Sequence, residues 1–231
     1  RITMKICILT TETKHHTYFI NKLAKDHEVT VVYELKRLEK PYPTGPFFEK
    51  EQDDFEDLFF SPEFGNVSRT IADGVTIHTV DDVNNHPELL DGSDLAVSFG
   101  VGLLKKVIFN RCRLGTINVH RGIAQTYRGL DSDLWAIFNY DFDNIGVTLH
   151  YVDAMLDTGD ILDAASLVRS PDMDIYHLRF WTTIMATDML LHILKDFKNV
   201  KPKRQKKAGQ YYTAMGYVNK LTCAEIFEET K

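Results

Sequence analysis

The chain predicts an α/β fold, a Rossmann-like sheet of mostly parallel strands flanked by helices, with a small C-terminal extension. Three observations carry that prediction. Ile6 to Thr10 and Val29 to Tyr33 are rich in β-branched residues and bracket a helix-like pattern from Tyr18 to Lys25, which reads as a βαβ opening. From Val75 the alternation returns, with strands predicted at Val75 to Val80, Asp94 to Phe99, Thr116 to His120 and Gly146 to Val152 and helical material between most of them. The 231 residues are 44% hydrophobic and 26% charged, which gives a globular chain enough apolar material for a sizeable core.

Taken in order, the elements also exclude function classes. The turn after the first strand reads Thr10-Thr11-Glu12-Thr13-Lys14-His15-His16 and holds no glycine, so a dinucleotide-binding phosphate loop is not expected. His15 and His16 are expected on that loop as a solvated pair, since nothing with metal-ligand spacing accompanies them. Pro41 to Pro46 is a loop signal, and Phe47 to Phe60 mixes acids with phenylalanines as a surface helix does. Gly100, His120 and Asp153 each follow a predicted strand, and in parallel sheets ligands bind where strands end, so these three positions are expected to converge. Leu178, Trp181, Met185, Met189, Ile193 and Phe197 recur at helical spacing within Ile175 to Phe197 and read as a core-packing face.

A net charge of −6 argues against nucleic acid as the main partner, because phosphate contacts need clustered Lys and Arg. The three cysteines, Cys7, Cys112 and Cys223, are odd in number and far apart, which fits reduced thiols in a cytoplasmic protein without disulfides or zinc. The apolar run near the N-terminus is too short for a signal peptide or membrane span, and Met4 is expected to be the natural start.

The chemistry concentrates around Asn118-Val119-His120. Side chains alternate along a strand, so the amide and the imidazole point to one face, where the amide can hold a developing oxyanion while the imidazole handles a proton. Three further elements follow in order: Tyr127-Arg128-Gly129, Gly146-Val147-Thr148 and Asp157-Thr158-Gly159. Together these four make the stretch from Leu95 to Leu162 resemble the catalytic domain of folate-dependent formyltransferases, most closely the nucleotide-sugar N-formyltransferases. The resemblance implies a formyl transfer from 10-formyltetrahydrofolate to an amine, without a metal, with Asn118, His120 and Asp157 as the catalytic trio. It places the folate in a slot made by Phe99, Gly100, Val101, Gly102 and Leu103 on one side and Asp153, Ala154 and Met155 on the other. Asp160 has no catalytic counterpart and is expected to support its loop.

One segment departs from the family pattern. Members acting on tRNA or glycinamide ribonucleotide carry Pro-Ser-Leu-Leu-Pro after the histidine, where this chain has Arg121-Gly122-Ile123-Ala124-Gln125. The change borders the acceptor, not the chemistry. A basic run from Lys195 to Lys207 precedes Tyr211 and Tyr212, which suggests a tyrosine stacked on a base beside a cation that meets a diphosphate. Tyr127, Arg128, Tyr211 and Tyr212 are therefore the expected acceptor contacts, and a dTDP-linked amino sugar is the expected acceptor. The stretch after Ile193 is too short for the additional domain of the tRNA enzymes. Residues 4–197 are expected to form the catalytic domain and 198–231 an acceptor-binding or dimer element, with a homodimer implied by the resemblance. Glycinamide ribonucleotide or methionyl-tRNA activity and a non-catalytic folate-fold binder are the alternatives. Asp131-Ser132-Asp133 has the spacing of a metal site but precedes a helical run, which favours capping.

Overall fold

Alternation along the strands sorts the apolar residues into two layers and leaves a polar strip on one face. The computed structural model describes residues 3–36, 40, 42–59 and 70–231. Pro41 and Phe60, which bound the predicted loop and surface helix, lie outside the described residues. Among these residues nine strands occur: β1 (Lys5–Thr10), β2 (Glu28–Glu34), β3 (Thr76–Val80), β4 (Leu95–Phe99), β5 (Thr116–His120), β6 (Tyr127–Gly129), β7 (Gly146–Tyr151), β8 (Ile161–Ser166) and β9 (Gln210–Tyr212). Seven form the main sheet in the order β3-β2-β1-β4-β5-β7-β8, while β6 and β9 pair separately. β1 to β5 run parallel, β7 is antiparallel to β5, and β8 is antiparallel to β7, so β7 alone opposes the rest.

Ile6, Ile8, Leu95, Val97, Ile117, Val119, Val147 and Leu149 belong to the core shared with Phe19, Ile20 and Leu23 of helix α1 (Lys14–Ala24) and with α5 (Leu178–Lys195). Cys7, Leu9 and Ala96 face the other way, into a second core with Val83, Leu90 and helix α3 (Lys106–Phe109). Ser98, Asn118, His120 and His150 occupy alternate positions to the first set and point to this second face. A third core joins α4 (Ser132–Phe138) to α6 (Tyr217–Glu229), with Leu134, Ala136 and Ile137 against Met215, Cys223, Ile226 and Phe227. Residues 198–231 thus share their apolar packing with the middle of the chain.

Two expectations need correction. β7 runs against β5 where a parallel strand was expected, pairing His120 with Thr148 and Ile117 with Tyr151, so Asp153 leaves the sheet beside the start of β5, yet it still borders one cavity with Gly100 and His120 as expected. Apolar periodicity reports that a strand exists and carries no information on its direction. The second concerns His15 and His16. Thr13 caps α1 by accepting a hydrogen bond from the His16 amide at 3.2 Å, so the helix starts four residues before the predicted Tyr18 and both histidines lie buried in its first turn. The predicted surface helix appears as α2 (Glu49–Phe59), whose buried Glu56 binds Arg179 of α5 at 2.7 Å.

Burial holds His15 and His16 well below the ordinary histidine pKa, with nearby Arg121 lowering both and Arg179 also lowering His15. An unfolded chain takes up protons on these rings below about pH 6.5 and the folded chain does not, so acid favours unfolding. Stability is expected to be complete above about pH 6.5 and to fall by about 1.4 kcal/mol per pH unit per histidine as the pH drops below it. Urea midpoints measured near neutrality and one to two pH units lower test this, and His16→Asn should flatten the slope; a pH-independent midpoint would contradict it.

Candidate active site

Asp157 sits at the centre of a buried polar cluster. Its backbone is left-handed, with φ of 52°, and its side chain is buried 4% exposed. Oδ2 accepts the Gly129 amide at 2.8 Å and lies 3.5 Å from His120 Nδ1. Oδ1 accepts from Asn118 Nδ2 at 3.3 Å and lies 3.3 Å from His150 Nε2. Burial alone raises a carboxyl pKa; here it is outweighed by His150, His120 and the Gly129 amide, which together hold Asp157 at about 2 and keep it anionic.

Each neighbour is fixed from behind. His120 Nε2 is 2.9 Å from the Tyr127 carbonyl and His150 Nδ1 is 2.8 Å from the Tyr151 carbonyl. A carbonyl oxygen only accepts, so those nitrogens carry protons, and the opposite nitrogens face Asp157 and Asn118. Burial lowers the His120 pKa, with Asp157 opposing, so the ring is neutral near pH 7. Ser98 donates to Asn118 Oδ1 at 3.0 Å, which orients the amide so that Nδ2 faces the carboxylate and His150 Nε2 at 3.2 Å. The loop 121–126 passes so close over His120 that a Cβ at Gly122 would lie 2.7 Å from His120 Nε2 and 2.6 Å from Ser132 Cβ.

These groups line a cavity of about 730 Å³ that also reaches Phe99 to Leu104, Val152 to Asp157, His15, His16, Arg121, Arg179, Asp131 to Leu134, Tyr211 and Lys220. All the residues named for the folate slot, Phe99, Gly100, Val101, Gly102, Leu103, Asp153, Ala154 and Met155, border it. Gly100 turns the chain out of β4 at φ of 80°, and the Gly102 amide donates to Glu34 at 2.9 Å. Asp153 accepts from the Met155 amide and the Thr158 hydroxyl, which shapes the loop that delivers Asp157.

The acceptor residues fare differently. Tyr211 is 54% exposed and borders the cavity, but Tyr212 is stacked between Trp135 and Tyr127, with ring centroids 4.9 and 5.5 Å away. Tyr127 points its ring into this stack and hydroxyl-bonds Asp141, contributing only its carbonyl to the site. Arg128 donates to the Ala124 carbonyl and to Gln205 and stays out of the cavity. The basic residues from Lys195 to Lys207 are exposed and none borders the cavity. Tyr212, Tyr127 and Arg128 are therefore committed inside the protein and are not available to a ligand. Asp131 occupies the cap position of α4 without capping it, its carboxylate instead accepting the Met215 amide at 2.8 Å. Asp160 is exposed and lends its carbonyl to the Tyr151 amide. Among the described residues no group of three His, Cys, Asp or Glu is placed to hold a metal ion, and no helix is long and apolar enough to cross a membrane.

Two residues of the cluster were not anticipated. His150 stands two places after Thr148 on β7, so strand alternation could have put it on the same face as the trio. Gln205 carries no such signal: it donates from its side-chain amide to the Asp157 and Gly159 carbonyls at 2.8 and 2.9 Å while accepting from Arg128 at 2.7 Å, which clamps the catalytic loop from the C-terminal segment.

The mostly parallel seven-stranded sheet is the fold of solved formyltransferases. Residues 90–174 match the family model described as formyl transferase. Methionyl-tRNA formyltransferase from Finegoldia magna is 26% identical over 163 residues, 65% of this chain and 52% of that enzyme. The chain spans roughly half of that relative's length and a third of the one from Desulfotalea psychrophila, which is 36% identical over 106 residues and 46% of this chain. Among solved structures, a 4-N formyltransferase from Francisella tularensis matches with a TM-score of 0.64 and 19% identity, over 91% of this chain and 76% of that one. The formyltransferase PseJ from Anoxybacillus kamchatkensis, solved with UDP-4,6-dideoxy-4-formamido-L-AltNAc and tetrahydrofolate, matches with a TM-score of 0.58 and 19% identity, over 90% and 85%. The resemblance drawn from the sequence to folate-dependent formyltransferases, and the mostly parallel sheet it implied, are both borne out.

Removing the Gln205 amide leaves two carbonyls of the Asp157 loop without a donor, so Gln205→Ala is expected to destabilise the fold by about 1–3 kcal/mol. Gly122→Ala overpacks His120 against Ser132 and is expected to cost about 1–3 kcal/mol. Chemical denaturation of both variants provides the check, and unchanged midpoints would show that neither contact constrains the site.

Proposed function

We propose that this chain transfers a formyl group from 10-formyltetrahydrofolate to the amine of a nucleotide-linked amino sugar, such as a dTDP-linked one. The observation that carries the reaction class is the buried Asp157 carboxylate flanked by an amide donor and two imidazole nitrogens. Its surroundings fit the donor: Val101, Leu104 and Val152 form apolar walls, and Leu103 and Met155 stand 60% and 69% exposed at the rim, ready to cover a flat heteroaromatic ring. When bound, the donor supplies a formyl carbon open to attack by an amine.

Negative charge developing on the formyl oxygen is met by Asn118 Nδ2, one of whose two long contacts, to His150 or Asp157, gives way to it. Ser98 prevents the amide from flipping as this happens. Asp157 stabilises the cation developing on the attacking nitrogen and receives its proton. His120 Nδ1 and His150 Nε2, both within 3.5 Å of the carboxylate, relay that proton to the departing nitrogen as its bond to the formyl carbon breaks. His120 thus works behind Asp157, because its Nε2 is held by the Tyr127 carbonyl.

The nucleotide-sugar acceptor is supported by the sugar-modifying structural neighbours and by the net charge of −6, which disfavours a polyanion. Its rival is methionyl-tRNA, favoured by the curated sequence relatives. Formyl transfer assayed on dTDP- and UDP-amino sugars, glycinamide ribonucleotide and charged initiator tRNA decides between them. Asn118→Ala is expected to lower kcat by about 100- to 1000-fold while the protein stays folded, and a wild-type rate would sink the assignment. Tyr211→Ala is expected to raise the acceptor KM more than it lowers kcat, as loss of a stacking contact does.

A further inference from the structure

Among the described residues two cations border the cavity without a close ion pair, although Asp133 and Glu56 favour the charge on Arg121 from a distance. Lys220 on α6 is 8% exposed, lines the cavity, and among the described residues makes no ion pair or side-chain hydrogen bond; its Nζ lies 5.6 Å from the centre of the Phe47 ring. Arg121, at the end of β5, lies over the Phe99 ring at 5.1 Å and donates to the neutral Thr183 hydroxyl at 2.8 Å, while its buried Nε has no hydrogen-bond partner. Arg179, also on the cavity wall, differs in being neutralised by Glu56 and Asp53. The carboxylates on the same wall are oriented by backbone amides and form no close ion pair with either cation: Asp131 accepts the Met215 amide, Asp133 the Leu134 amide, and Glu49 the Phe47 amide.

A buried charge without a partner costs stability, so it persists where something outside the chain completes it. Cavity-facing aromatic rings soften the cost and leave the donors free. We propose that Arg121 and Lys220 form the anion subsite of the acceptor, holding phosphate oxygens of its diphosphate, and that this site takes over the role expected of the exposed lysines between Lys195 and Lys207. The assignment rests on the cavity being the donor–acceptor site. Lysine as a point charge and arginine as a fork are both suited to phosphate, and two separated cations suit a diphosphate better than one carboxylate. Arg121 occupies the segment where the sequence departs from the formyltransferase pattern, next to His120, so the anion would lie within a sugar ring's reach of the reacting amine.

The test needs no turnover. Inorganic pyrophosphate, and succinate as a carboxylate control, are titrated calorimetrically into the full chain and into its Lys220→Met and Arg121→Met variants at two salt concentrations. Expected are saturable pyrophosphate binding by the wild type, weaker at high salt, at least about tenfold weaker in each variant, and a weaker response to succinate. Lys220→Met is also expected to raise the melting temperature by roughly 2–4 °C, because it removes an unpaired buried charge, whereas a lysine serving the fold would lower it. Absent pyrophosphate binding, equal binding by all three proteins, or preference for succinate overturns the proposal. If cation-dependent pyrophosphate binding is found and formyl transfer is not, the subsite stands and the formyl-transfer reading falls.

Discussion

The Asp157 carboxylate is the constraint on which the rest of the site depends. A buried anion is tolerable only among polar partners, and here Asn118 on β5 and the Gly129 amide on β6 donate to it while His120 on β5 and His150 on β7 each place a ring nitrogen within 3.5 Å. Each of those groups is in turn held by a neighbour whose own position is set by the sheet or by the loop over His120. Local chain geometry would not by itself put a non-glycine residue at φ of 52°. Gln205 braces the left-handed turn at Asp157 by donating to the Asp157 and Gly159 carbonyls.

That clamp makes the C-terminal segment part of the catalytic structure. Gln205 ties it to the Asp157 loop, β9 pairs with β6 in parallel, and Tyr212 fills the space between Trp135 and Tyr127. α6 then packs against α4 and brings Lys220 to the cavity wall. The same segment that the sequence suggests as an acceptor-binding or dimer element contributes a loop clamp through Gln205, a stacked aromatic through Tyr212 and a buried lysine through Lys220. Its many exposed lysines keep that surface wet and contribute nothing to the cavity.

Much of the fold was legible because β-branched runs of five or six residues, separated by helical stretches, have few other readings. Thr116 to His120 was delimited to the residue, since its apolar positions, Ile117 and Val119, alternate with Thr116, Asn118 and His120. β8 escaped notice because Asp163 and two alanines dilute its pattern, and β6 and β9 because three residues are too few to show a period. The histidines at 15 and 16 were misplaced because Thr13 is an N-cap whose signal is weak beside the other threonines around it. In the site, Asn118, His120 and Asp157 were found through ordered motifs. Tyr127, Arg128 and Tyr212 were misassigned to the ligand because proximity in sequence says which residues are near and not which way they face.

Sequence alone determined that this is an α/β chain, that an amide and an imidazole share one face of β5, and that an aspartate forty residues later belongs with them. The first two conclusions follow from alternation, a local property, and the third from the resemblance to folate-dependent formyltransferases carried by the ordered motifs. Tertiary structure decided that β7 runs backward, which puts His150 beside Asn118, and that the loop after it folds back over the sheet face to deliver Asp157. It also decided which cations are ion-paired and which instead lie over an aromatic ring, because both depend on distances between segments that are far apart in the chain, as Arg179 and Glu56 or Lys220 and Phe47 are.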